Sequence, residues 1–262
     1  MSGVRFFKNN VNTDLYVGQN AGERLLSDIE HASKSVKVVS PYLSPVHIEK
    51  LINKANKGVS VLLITSDEIE EYRDNSKPLI IKQLIKQIKN TDSNSLKLRK
   101  KLLTAVLALI GILAITFVLI IYMVINHNFN IVFGFAFIAL LLSVLVLEYI
   151  RKNTIVYSYN YEPLFPFRVF VSPYNSKLQF TSNYFIHSKI FIIDDIIAYL
   201  GSLNFTRSGL EFNFESQVRI TEPATIKGLS DMVNDLFNNN IDKNHYIDIQ
   251  TWGRALYNEP IN

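Results

Sequence analysis

The chain contains no cysteine. That excludes a disulfide scaffold, a thiolate zinc site, an iron–sulfur cluster and a cysteine nucleophile. Glycine, at 10 residues, and proline, at 8, are too scarce for a collagen-like or proline-rich chain. Charge of one sign is barely in excess: 27 Lys+Arg against 23 Asp+Glu leave a net +4 over 262 residues, too little to announce nucleic acid by itself. What the chain has is apolar residues, 48% of the total, enough for a core and incompatible with wholesale disorder. There is no internal repeat and no low-complexity tract.

One absence organises the reading. No Asp, Glu, Lys or Arg occurs from Leu102 to Leu147. Elsewhere roughly a quarter of residues are charged, the ordinary share for a globular chain. Leu102 to Ile125 is an unbroken apolar run that, as a helix, reaches roughly 36 Å, enough to cross a bilayer with some tilt. Ile131 to Leu147 is a second run, extending to Ile150 with Glu148 at the interface, and Asn126 to Asn130 form a short polar turn between them. Both runs lack the polar face that a helix of a soluble protein keeps, so a transmembrane hairpin is predicted over 102–150 in place of a buried soluble one.

The flanks predict its orientation. Lys97, Arg99, Lys100 and Lys101 precede the first span, Arg151 and Lys152 follow the second, and the turn has no Lys or Arg. The positive-inside rule puts both ends in the cytoplasm and the turn outside. No apolar stretch of signal-peptide length opens the chain. The expected location is the inner cell membrane, with two spans and both termini cytoplasmic.

Residues 1–101 and 151–262 remain, and their patterns read as two parts of one α/β domain. Glu23 to Ala32 is a helix with Leu25, Leu26 and Ile29 on one face. Val36 to Ser40 is a short strand, Val46 to Asn56 a helix stopped by Gly58, and Val59 to Thr65 a second strand. Strand, helix, strand at this spacing is a βαβ unit with a parallel pair. Leu79 to Lys89 reads as a basic amphipathic helix with Ile81, Leu84, Ile85 and Ile88 on one face; its Lys82, Lys86 and Lys89 are better read as solvated than as bilayer-bound. After the hairpin, Phe167 to Val171, Tyr184 to Ile193, Ile196 to Leu200 and Ser216 to Ile220 are strand-like, and Thr225 to Phe237 is an amphipathic helix. The fold class is α/β: a mixed β-sheet flanked by helices, interrupted by the hairpin.

Residues 186–220 carry the chemistry. His187 and Lys189 are two apart, and a strand points both to one face. Asp194 falls on the opposite face of a regular strand, where it organises a turn or backbone. Gly201-Ser202-Leu203-Asn204 follows the next strand and can present a hydroxyl and an amide. Glu215 precedes another strand. Singly, each residue has a bland reading: a hydrogen-bonded His, a solvated Lys, a turn-forming Asn. Together they make an anion-binding site with a nucleophile.

Together they also resemble the phospholipase D superfamily. His187-Ser188-Lys189, four residues, then Asp194 is its H-x-K-x4-D motif; Gly201-Ser202-Leu203-Asn204 matches its G-S-x-N; Asn213-Phe214-Glu215 matches the Asn and Glu that follow. VKVVSPYLS and GVSVLLIT resemble its opening βαβ segment. The hairpin departs from the plain family fold as an insertion.

The resemblance implies a phosphohistidine mechanism. His187 is the nucleophile. Glu215 orients its imidazole. Lys189 and Asn204 hold the non-bridging oxygens, Ser202 bonds the site from behind, and Asp194 is counted with the catalytic group as part of the motif. Lys189 supplies charge that other phosphoryl-transfer enzymes take from Mg²⁺, so no metal or other cofactor is called for. The scheme needs a second His as acid and then base. His31, His47, His127 and His245 have no Lys two residues on, so a homodimer is expected to complete the site, as two-fold symmetry permits. The expected activity is hydrolysis of phospholipid phosphodiester bonds at the bilayer. An endonuclease acting on nucleic acid and a non-catalytic membrane scaffold are the alternatives.

Overall fold

The computed structural model describes residues 6–67, 79–128, 130–170, 186–238 and 248–260. The chain divides into two compact units, residues 1–87 with 161–257, and residues 88–160 with 258–262.

The first unit is built on a seven-stranded sheet. Its strands are β1 (Thr13–Gly18), β2 (Ser35–Val39), β3 (Ser60–Ser66), β6 (Phe167–Phe170), β7 (Ile190–Ile193), β8 (Ile197–Gly201) and β9 (Glu215–Ile220), in the order β1-β9-β8-β7-β2-β3-β6. β2, β3 and β6 are parallel, and α2 (Pro45–Asn56) crosses over between β2 and β3. β7, β8, β9 and β1 continue the sheet as antiparallel neighbours. The sheet is mixed because the first half is made of crossovers and the second of hairpin-like returns.

One face of the sheet buries Val39, Ile64, Phe170, Ile190, Ile192, Ala198 and Ile220 against Ile226, Leu229 and Val233 of α6 (Pro223–Asn238). The opposite face carries Tyr199, whose hydroxyl donates to Asp28 of α1 (Glu23–His31) at 2.5 Å. Leu25 and Ile29 of α1 and Ile48 and Leu51 of α2 are fully or almost fully buried. Fully burying an aliphatic side chain of this size is worth about 1.5–3 kcal/mol, so these two layers account for the main apolar drive of the unit.

The basic segment departs from its predicted helix. α3 covers Leu79–Gln83 and stops, and Ile85–Thr91 forms strand β4, paired with β5 (Tyr157–Pro163). The spacing of Ile81, Leu84, Ile85 and Ile88 fits a helix, but a strand partner some seventy residues away satisfies the backbone instead, and tertiary pairing overrides local period. Its lysines are exposed, as expected, and two of them rest on rings: the Lys82 ammonium lies 4.9 Å from the Tyr257 ring centroid and that of Lys89 3.5 Å from the ring of Tyr157. β1, β5 and α7 (Ile249–Leu256) have no counterpart in the sequence reading. The strand expected from Tyr184 is regular from Ile190; Val171, Tyr184 and Phe185 lie outside the described residues.

The second unit is a helical pair. α4 runs Ser93–Ile125 and α5 Ile131–Asn153. Asp92 caps α4, accepting from Asn94 N at 2.9 Å, and Asn130 caps α5, accepting from Val132 N at 3.0 Å. The rings of Phe117 and Phe137 meet at 5.9 Å. Both helices are long and apolar enough to cross a membrane, and none of either apolar window is buried. Glu148 sits in a fork made by Arg151, with bonds of 2.6 Å to each carboxylate oxygen.

Candidate active site

The site residues converge at one end of the first unit's sheet, where β7 begins, β8 ends and β9 begins. His187 and Lys189 lie in the extended lead-in to β7. His187 is exposed and Lys189 is 8% exposed. The Lys189 ammonium donates to the His187 carbonyl at 2.8 Å and stands 3.3 Å from both ring nitrogens. Burial lowers the Lys189 pKa from its ordinary value, and the nearby Glu215 carboxylate opposes that shift. A partly desolvated ammonium beside an accessible imidazole suits an incoming anion: the anion completes the ammonium's pairing where water cannot.

Glu215 is the first residue of β9. Its carboxylate accepts from the Ser202 hydroxyl and from Asn213 Nδ2 at 3.3 Å. Ser202 is locked in turn: its N–H donates to Ser216 O at 3.0 Å and its Oγ accepts from Ser216 N at 3.1 Å. The glycine before it is required by packing. A Cβ on Gly201 would meet Ser216 O at 2.1 Å, so a side chain there would push β9 from β8.

Asn204 is half-buried, and its Oδ1 is sealed from solvent with no hydrogen-bond partner. The loop that carries it is clamped from residues 40–44. Phe205 N donates to Ser40 Oγ at 2.9 Å, Ser44 N donates to Phe205 O at 3.1 Å, and Arg207 N donates to Ser44 Oγ at 2.9 Å. A π-helical turn over Ser208–Phe212 follows, and Gly209 N donates to Thr206 Oγ1 at 3.0 Å. A Cβ on Gly209 would lie 2.7 Å from Asn204 O. Ser40 and Ser44 escaped the sequence reading, which saw SPYLS as a flank. Their signal was two small hydroxyl residues bracketing a turn, a pattern that competes for backbone N–H groups.

Asp194 is not brought to this cluster. It sits at the other end of β7, in the turn to β8 with φ +53°, and its carboxylate gathers backbone N–H groups of Ser33, Lys34 and Ser35 at 2.7–3.2 Å. Burial pushes its pKa up, but these amides and the Ser33 hydroxyl outweigh that and hold it below the usual carboxylate value. Among the described residues no group of His, Asp and Glu is arranged to hold a metal ion. His31 bonds Ser27 O, His127 sits in the α4–α5 turn of the second unit, and His245 is outside the described residues.

Comparisons with known proteins fall on the same residues. Residues 155–237 match the family model described as "Cardiolipin synthase, PLD-like domain". No curated protein matches the sequence. Similar solved structures include NucT from Helicobacter pylori, 16% identical with a TM-score of 0.43 over 86% of this chain and 95% of that one. Nuc from Salmonella typhimurium, a phospholipase D family member, is 16% identical with a TM-score of 0.41 over 87% and 95%. Phosphatidylserine synthase of Haemophilus influenzae Rd KW20 is 11% identical with a TM-score of 0.42 over 96% of this chain and 42% of that one. The segment that matches the family model, about a third of the chain, is the one that carries His187, Lys189, Asn204 and Glu215, and over these residues the chain is similar to a PLD-like domain.

Proposed function

We propose that this protein is a membrane-anchored phospholipase D-like hydrolase that cleaves phospholipid phosphodiester bonds through a phosphohistidine. The observation that carries the reading is the exposed His187 imidazole beside the buried Lys189 ammonium. His187 attacks phosphorus, the phosphorus–oxygen bond to the leaving alcohol breaks, and phosphorus is left bonded to the imidazole. Lys189 and Asn204 bind the non-bridging oxygens, and Glu215, braced by Ser202 and Asn213, steadies the imidazole as it becomes cationic. The leaving oxygen takes a proton from a second histidine, the His187 of a second copy. That histidine then removes a proton from water, whose oxygen displaces His187 and releases a phosphomonoester. The functional unit in this reading is a homodimer.

The lipid assignment rests on α4 and α5. As spans they confine the domain to a surface dense in phospholipid, which raises the local substrate concentration. With basic residues at 97–101 and 151–152 and none in the turn, the domain lies on the cytoplasmic side.

Purified full-length protein offered labelled phospholipid vesicles and single- and double-stranded nucleic acid in parallel tests this. Headgroup release from vesicles, lost in His187→Ala and resistant to EDTA, is expected. Nucleic-acid cleavage that collapses with added salt, with no headgroup release, would establish the endonuclease instead.

A further inference from the structure

The candidate site lies at the surface: His187, Ser202 and Asn213 are exposed. A phosphodiester has to be presented level with that surface, and the side chains around the site decide what can present it. Three of them are apolar. Phe214, 76% exposed, immediately precedes Glu215. Phe212, 57% exposed, immediately precedes Asn213, whose Nδ2 donates to the Glu215 carboxylate. Val46, 45% exposed, lies two residues past Ser44, whose hydroxyl accepts from Arg207 N. Arg207 links the two sides, because its guanidinium lies 5.5 Å from the Phe212 ring centroid.

Hydrophobic residues exposed singly over a surface need no explanation. These three are grouped, each one or two residues from a group that builds or clamps the site. None has a hydrogen-bonding side chain, so what covers them is apolar. The Arg207 side chain is 67% exposed, and its ion pair with Glu211 at 3.2 Å is a surface pair, worth little and replaceable by a phosphate. Apolar side chains beside an exposed cation match a lipid surface, where phosphates overlie the acyl boundary. With α4 and α5 as spans, only residues 88–92 and 154–160 connect those helices to the first unit, so a bilayer is always within a short tether. Resting on the phospholipase reading above, we propose that Val46, Phe212 and Phe214 form a rim that enters the lipid surface around the site. Arg207 takes the headgroup phosphates there, and His187 meets phospholipid in the plane of the bilayer.

The test places a tryptophan on the rim. The chain's one native tryptophan, Trp252, is buried and gives a constant background. Full-length Phe214→Trp is reconstituted into vesicles of phosphatidylglycerol and phosphatidylcholine, the latter brominated in the upper acyl chain. Ile196→Trp is the control, 61% exposed in the β7–β8 turn at the other end of β7. The emission added by Phe214→Trp is expected to be lost to the brominated lipid and that added by Ile196→Trp retained. Equal quenching at the two positions, or none at 214, overturns the proposal. So does shielding of position 214 from aqueous iodide without quenching by brominated lipid, which marks a protein partner, or quenching there by a single-stranded oligonucleotide alone, which marks a base-stacking platform. Phe212→Trp repeats the measurement if Phe214→Trp fails to fold. Turnover supplies a second readout. In Phe212→Ser/Phe214→Ser the ratio of kcat/KM on vesicles to that on water-soluble glycerophosphoglycerol is expected to fall about 10-fold or more, the factor for losing the transfer of a phenyl ring from water. An unchanged ratio counts against the rim. Quenching at 214 in vesicles that are not cut leaves the rim standing and the hydrolase reading failed; cutting without quenching does the reverse.

Discussion

The His47 imidazole packs on the Phe205 ring with centroids 5.2 Å apart, and Phe205 is the residue that follows Asn204 in the site loop. Phe205 in turn packs on Phe191 of β7 at 5.7 Å. A rigid aromatic column therefore connects α2 to the loop that holds Asn204 and to the strand that follows Lys189.

His47 makes this column acid-sensitive. It is 1% exposed and neither ring nitrogen has a hydrogen-bond partner. Burial, with Lys50 and Arg207 against a smaller opposing pull from Glu211, lowers its pKa from 6.5 to about 4. The unfolded chain binds this proton from pH 6.5 downward, the folded one near pH 4. Stability is thus lost as pH falls through that window, by on the order of 2 kcal/mol. The melting temperature of His47→Leu should fall less between pH 7 and pH 4.5 than that of wild type. Parallel curves would remove His47 from the account.

Asp194→Ala should destabilise by about 1–3 kcal/mol, because the amides of residues 33–35 lose their acceptor. At a temperature where the variant is folded, kcat should stay within a few-fold of wild type. Loss of turnover in folded protein would give Asp194 a part in the chemistry.

Gly201→Ala should cost about 1–3 kcal/mol as an overpacking change, and should lower turnover as well, since Ser202 and Glu215 both move if β9 is displaced. Gly111, on α4, has nothing within 4 Å of an added Cβ, so Gly111→Ala is the control. Equal melting temperatures for the two variants would refute the close approach.

Topology can be read on the cysteine-free chain. Asn128→Cys should react with an impermeant thiol reagent added outside intact cells, and Asn20→Cys should react after lysis. External labelling at position 20 would reverse the orientation.

The helical pair and the clustering of the candidate site residues were legible for different reasons. A charge-free stretch is a property of composition, and Leu102–Leu147 announces long apolar helices whatever surrounds it. The site was legible because His187, Lys189, Ser202, Asn204 and Glu215 fall within 29 positions of one another, at the ends of three successive strands. The parallel β2–β3 pair was legible because one helix of fixed length joins the strands.

By itself, then, the sequence determined what depends on neighbours along the chain: the long apolar helices, the βαβ unit, and the order of the motif residues. Tertiary structure decided what depends on neighbours in space. Asp194 and Ser33 are 161 positions apart, and Phe205 and Ser40 are 165 apart. Ile85–Thr91 became a strand because Tyr157–Pro163 was there to pair with it. Hydrogen-bond partners and strand edges at such separations are chosen by burial and backbone satisfaction in the folded chain, terms that no local periodicity encodes.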